Sequence, residues 1–220
     1  MVDIDMNNKT TEKSMNNGFV IWLTGLPKSG KTELATKLTS ELTQIGFDVE
    51  FINSGKLRKT PIGQTLGFSK TDRKTNLLRH AITADLLIRN GMVAIVSAVS
   101  PYRDIREQIR TQLKSFFEVH VATPKQACIE RDTTGIWKKA LAGKIPNFTG
   151  VNDPYEEPLS PDAIVDLEKQ SVENACQHII AELRRSMTIT QFQVKSQSAE
   201  QEIADRLSAL GYVVELEDVG

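Results

Sequence analysis

Gly25-Leu26-Pro27-Lys28-Ser29-Gly30-Lys31-Thr32 has the spacing G-x-x-x-x-G-K-[ST]. Glycines at those positions let successive backbone N–H groups turn inward around a polyphosphate. In such a loop Lys31 reaches the β- and γ-phosphates and Thr32 places its hydroxyl on Mg²⁺. The flanks match this chemistry. Gly18-Phe19-Val20-Ile21-Trp22-Leu23 reads as a buried strand, and Leu34, Ala35, Leu38 and Leu42 recur at helical spacing after the loop. The helix start adds roughly half a positive charge at the phosphates. These residues predict a site for a nucleoside triphosphate.

The elements that must position this loop follow from the apolar pattern. Strands are predicted over 19–24, 47–53, 92–99 and 117–122, with helices over 31–45, 72–89, 103–114 and 124–131. Such alternation makes βαβ units and a doubly wound, mainly parallel sheet, an α/β fold. Gly46 and Gly91 fall where a left-handed helix C-cap is expected. The pattern breaks from Thr133 to Pro161, a stretch rich in glycine and proline, with a short helix predicted over 137–142. A strand over 163–167 and a helix from Ser171 follow. Three regions are expected: a loose N-terminal tail over 1–17, a domain over 18–185, and an extension over 186–220. That extension reads as a strand, a helix from Ser198 to about Leu210, and a second strand at 213–216.

Composition narrows the classes. With 220 residues, 40% hydrophobic and 25% charged, the chain suits one globular domain with an appendage. A net charge of −1 gives no bulk electrostatic reason to bind nucleic acid or a membrane surface. No apolar run approaches the ~20 residues that span a bilayer. Cys128 and Cys176 lack metal-site spacing and are expected as buried thiols in a reducing cytoplasm.

Further motifs give the chain a resemblance. Leu66-Gly67-Phe68-Ser69 with Asp72-Arg73 and Asn76, then Ser100-Pro101-Tyr102-Arg103 with Arg106, fall in a distinctive order. Arg131-Asp132, Gly135, Lys138-Lys139-Ala140, Asn147-Phe148-Thr149-Gly150 and Asp153-Pro154-Tyr155-Glu156 follow. Residues 18–185 thereby resemble adenylylsulfate kinases, which move the γ-phosphate of ATP to the 3′-hydroxyl of adenosine 5′-phosphosulfate. The resemblance implies a P-loop NTPase fold with a lid over about 133–161, ATP and Mg²⁺ as cofactors, and dimerisation. It makes residues 25–32 and Arg131 the ATP site, with Thr32 on Mg²⁺. It assigns Arg58, Arg73 and Arg106 as forks for anionic oxygens, Phe68 and Phe148 as an adenine clasp, and Asn76 to a base or ribose edge. Lys31, Ser100 and Lys139 become catalytic, Ser100 as a positioning hydroxyl and Lys139 as part of a lid closing over the phosphates. Phe148, in a glycine- and proline-rich loop, is expected to gain little burial without a ligand.

The chain departs from that family at the end of the second strand. Asn53-Ser54-Gly55 stands where the family has Asp-Gly-Asp, so both carboxylates are gone, the second of them the family's candidate base. Glu33, Asp72 and Asp85 are the nearest acids that could compensate. A positioned base contributes ~10²–10⁴-fold, so reduced activity is expected. Two other readings stand beside this one: a kinase of the same build for a different nucleotide-like acceptor, and a catalytically dead nucleotide-binding regulatory or assembly protein.

Overall fold

The structure is a computed structural model that describes residues 18–186. The expected N-terminal tail and nearly all of the C-terminal extension lie outside the described residues. Five parallel strands form one sheet: β1 (Phe19–Thr24), β2 (Val49–Asn53), β3 (Val93–Ser97), β4 (Phe116–Val121) and β5 (Ala163–Val165). Their spatial order is β2-β3-β1-β4-β5. β1 is therefore central, pairing Ile21 with Ile95 on one side and with Phe117 on the other. Helices cover both faces, so β1 is buried along its whole length and reads as a continuous apolar run.

On one face α1 (Lys31–Gln44) and α8 (Val172–Ser186) pack over a core that includes Leu34, Leu38, Ile95, Val119 and Ile179. On the other, α4 (Lys70–Arg89) and α5 (Arg103–Gln112) cover Val20, Trp22, Val96, Leu77 and Ile105. A smaller cluster of Cys128, Trp137, Ala140 and Phe148 joins α6 (Lys125–Glu130) and α7 (Ile136–Leu141) to the loop that follows them. Both cysteines are buried, and Gly46 and Gly91 have φ of 90° and 79° behind α1 and α4.

Two one-turn helices were not foreseen, α2 (Ser54–Leu57) and α3 (Pro61–Gln64). Their caps were nevertheless in the sequence. Asn53 Oδ1 accepts the Lys56 N–H at 3.0 Å, and Thr60 precedes a proline at the first helical position. β3 is shorter than the expected 92–99 because Ala98, Val99 and Ser100 leave the ladder to form the wall of a cleft.

Candidate active site

A cleft of about 610 Å³ opens at the carboxyl ends of β1, β2 and β3. That is where the strand order reverses about β1, the place open α/β sheets bind ligands. The loop after β1 forms one wall. Gly30 takes φ 94°, and a Cβ there would lie 2.4 Å from Leu167 Cδ1, so only glycine lets the backbone close this turn. Lys31 is 8% exposed, and its ammonium donates to Gly25 O, Leu26 O and Ser29 Oγ at 3.0, 2.6 and 3.1 Å. Burial pushes its pKa down to about 8. Pro27, Lys28, Lys31 and Thr32 line the cleft from this side.

The opposite wall is assembled from separate segments. Arg58, at the C-cap of α2, donates to Leu66 O and Gly67 O at 3.2 and 2.9 Å. Arg73, on the first turns of α4, donates to Phe68 O at 3.0 Å and to Asn147 O at 2.6 Å. Both guanidinium groups lie over the Phe68 ring, at 4.5 and 5.3 Å from its centroid. These bonds hold an exposed aromatic and two cations in one patch. Burial, and then the neighbouring Arg73 charge, lower the Arg58 pKa.

Lys28, Lys31, Arg58, Lys59 and Arg73 all line the cleft, and no carboxylate does among the described residues. An anionic ligand is what such a lining accepts. Among the described residues, the three non-glycine positions with positive φ, Lys28, Ser100 and Asn147, are also on this lining. Each holds a backbone conformation that costs free energy, and such strain collects at functional sites. Ser100 is the clearest case. It is 2% exposed, its Oγ accepts the Trp22 indole N–H at 2.9 Å, and its carbonyl accepts Arg106 at 2.6 Å.

The cleft thus brings together Pro27, Lys28, Lys31, Thr32, Arg58, Phe68, Arg73, Asn76, Ser100 and Phe148 from the sequence reading. Gly25, Leu26, Ser29 and Gly30 shape the loop behind that lining. Three residues lie elsewhere. Arg106 is 2% exposed behind Ser100, its guanidinium spent on Glu118 Oε1, Ser100 O and Glu156 O, so it supports the wall instead of offering a fork to a ligand. Lys139 is exposed on α7, away from the lining. Arg131 caps α6 and donates to Leu167 O beside Gly30, also outside the lining.

The Phe148 expectation needs correction. The residue is 7% exposed, with its ring edge-on to Trp137 at 4.9 Å, so it belongs to a small core as well as to the cleft. Phe68 is 50% exposed. The two aromatics therefore face the cleft on unequal terms. Glu33, Asp72 and Asp85 are all absent from the lining. Asp72 accepts the Ser69 hydroxyl at the start of α4, and Asp85 pairs with Arg89 at 3.0 Å.

Sequence reasoning missed Ser54 and His80. The Ser54 hydroxyl lies 3.1 Å from Asn76 Nδ2 and 3.0 Å from His80 Nε2. Asn76 and His80 are four apart on one helix, a spacing that puts them on one face and could have flagged the pair.

A phosphate loop between β1 and α1, a parallel sheet of order 2-3-1-4-5 and a cationic cleft at its switch point define a P-loop kinase. The adenylylsulphate kinase family model matches residues 17–166, and the chain belongs to that family. An adenylyl-sulfate kinase of Rippkaea orientalis is 44% identical over 158 residues, covering 72% of this chain and 87% of that protein. A probable adenylyl-sulfate kinase of Pseudomonas aeruginosa is 44% identical over 163 residues, 74% of this chain and 76% of that one. Among solved structures, the Mycobacterium tuberculosis APS kinase in complex with AMPPNP and APS superposes with a TM-score of 0.72 at 35% identity. The match covers 76% of this chain and 98% of that one.

Proposed function

We infer that this chain transfers the γ-phosphate of ATP to the 3′-hydroxyl of adenosine 5′-phosphosulfate, giving 3′-phosphoadenosine 5′-phosphosulfate and ADP. The observation that carries this reading is one cleft with two unlike walls. Lys28, Lys31 and Thr32 stand on one side, and Arg58, Phe68, Arg73 and Asn76 on the other. The matched relatives carry the same activity in their names.

ATP lies along the loop, its phosphates against the backbone N–H groups and the start of α1. Lys31 exchanges its carbonyl partners for β- and γ-phosphate oxygens as negative charge shifts toward the bridging oxygen. Mg²⁺, when bound, neutralises charge on the phosphates. Thr32 at the start of α1 is the residue that would hold it; the lining offers no carboxylate, so phosphate and water oxygens would supply the other ligands. The acceptor lies against Arg58 and Arg73, with its adenine on Phe68. Ser100, fixed by Trp22 and a strained backbone, orients groups at the junction of the two nucleotides. A homodimer in the cytoplasm is carried with this reading.

The test is an acceptor panel. ADP release is followed with Mg·ATP and, in turn, adenylylsulfate, AMP, inorganic sulfate and a sugar acid. Adenylylsulfate alone should accelerate ADP release well above the ATP-only rate. Equal rates across the panel would leave a nucleotidase and overturn the reading, and a faster rate with another acceptor would reassign the substrate.

A further inference from the structure

The acceptor wall contains a buried trio that the phosphate chemistry does not use. Ser54 directly follows β2 and lines the cleft at 9% exposure, while Asn76 and His80 on α4 are 4% and 3% exposed. Asn76 Nδ2 lies 3.1 Å from Ser54 Oγ and 3.0 Å from His80 Nε2, and Ser54 Oγ lies 3.0 Å from the same ring nitrogen. An amide nitrogen only donates, so with the Asn76 amide in this orientation His80 Nε2 is an acceptor and its proton sits on Nδ1. The Ser54 O–H then donates to that imidazole lone pair, which it shares with the Asn76 amide. Its oxygen keeps a lone pair for a group in the cleft.

We propose that Ser54 and His80 form a relay that takes the proton of the acceptor hydroxyl, replacing the carboxylates missing at 53 and 55. The proposal rests on the reading that this hydroxyl belongs to adenylylsulfate. As the acceptor oxygen bonds to the γ-phosphorus, its proton passes to Ser54 Oγ and the Ser54 proton passes to His80 Nε2. The bond from phosphorus to the bridging oxygen breaks, and ADP leaves with its electron pair. As product departs, His80 returns its proton to Ser54 and the surplus proton passes from Ser54 to solvent. Ser54 is the group that touches substrate, and His80 acts through it as a positioning and proton-holding residue.

Three observations support this arrangement over a merely packed trio. Asn53 Oδ1 is occupied in capping α2 and cannot replace the first aspartate. None of Glu33, Asp72 and Asp85 lines the cleft. Burial, followed by the charges of Arg58 and Arg79, lowers the His80 pKa to about 4. The ring is therefore neutral near pH 7 and able to accept a proton.

The test compares kcat and KM for adenylylsulfate in the native protein, Ser54→Ala, Gly55→Asp and the double variant, with melting temperatures beside them. A Cβ at Gly55 would meet one atom within 4 Å, Asn53 Oδ1 at 3.3 Å, so a restored aspartate requires that side chain to give by a few tenths of an ångström. Ser54→Ala should lower kcat by ~10²-fold or more, the range of a positioned base, with KM within about threefold of native. Gly55→Asp should recover about tenfold or more of that loss in the Ser54→Ala background, and gain less when introduced alone. His80→Leu should reproduce the Ser54→Ala kinetics, and Ser54→Ala carries the test if His80→Leu fails to fold. A folded Ser54→Ala protein with native kcat, a loss confined to KM, or a loss that Gly55→Asp does not relieve would overturn the relay. No 3′-phosphorylated product from the native protein would overturn the acceptor reading itself, and the relay with it.

Discussion

On the donor wall the ligand-facing groups come from one run of consecutive residues between β1 and α1. On the acceptor wall they come from the end of β2, α2, the start of α4, the turn after β3 and the loop around Phe148. The donor wall is made largely of backbone, with Lys31 held among its own carbonyls. The acceptor wall is made of side chains that hold one another, as Arg58 and Arg73 do around Phe68. Backbone cradles recognise what every triphosphate shares, whereas side-chain walls distinguish acceptors and can be rebuilt residue by residue. The departures at Asn53, Ser54 and Gly55 fall on the acceptor wall.

The largest expected effect breaks the donor wall. Lys31→Ala should lower turnover by about 10³-fold or more, toward the range of a transition-state cation in phosphoryl transfer. Its melting temperature should hold or rise, because a desolvated ammonium is removed. Turnover within a few-fold of native would make the loop a mere structural turn.

The acceptor wall is sharpened by its unequal aromatics. Phe148→Ala should cost about 3–5 kcal/mol of stability in chemical denaturation, the range for a buried phenylalanine. Phe68→Ala should leave stability nearly unchanged and weaken adenylylsulfate binding by ~1–3 kcal/mol, the stacking range. If Phe148→Ala proves neutral for stability, or Phe68→Ala costly, the assignment of one to the core and the other to the ligand is reversed.

The buried His80 gives a pH signature on the same wall. Its folded pKa of about 4 lies below the unfolded value of about 6.5. Between those values the unfolded chain binds more protons, so stability falls as pH drops through that window. The native protein should therefore lose up to about 3 kcal/mol more than His80→Leu between pH 6.5 and 4. Parallel curves for the two proteins would contradict a neutral buried ring.

A smaller effect belongs to Lys31, whose free-state pKa of about 8 must rise when phosphates surround it. ATP binding near pH 8.5 should take up a fraction of a proton, read as a buffer-dependent binding enthalpy, and affinity should weaken as pH climbs above 8. Buffer-independent enthalpies would place the charge change elsewhere.

The same contrast explains what the sequence could tell. Strands β1 and β3 were legible because they are buried on both faces and read as nearly unbroken apolar runs, and β4 was legible from its apolar residues around the buried Glu118 and His120. The phosphate loop was legible because its chemistry is contiguous. Arg106 was misplaced because an arginine spent on a buried Glu118 looks, in a string of letters, the same as one waiting for an anion. Phe148 was misjudged because its burial depends on Trp137, which a glycine- and proline-rich context does not announce. Ser54 and His80 were missed because their contact spans 26 positions and exists only once β2 and α4 are side by side.

The most direct test is the fate of the transferred phosphorus. The native protein with Mg·ATP and adenylylsulfate can be followed by ³¹P NMR until the γ-phosphate signal is exhausted. The account predicts a new phosphomonoester signal from the 3′-position, equal in amount to the ADP formed, with the sulfate-phosphate anhydride intact. Inorganic phosphate growing in step with ADP, with no 3′-phosphomonoester, would contradict it.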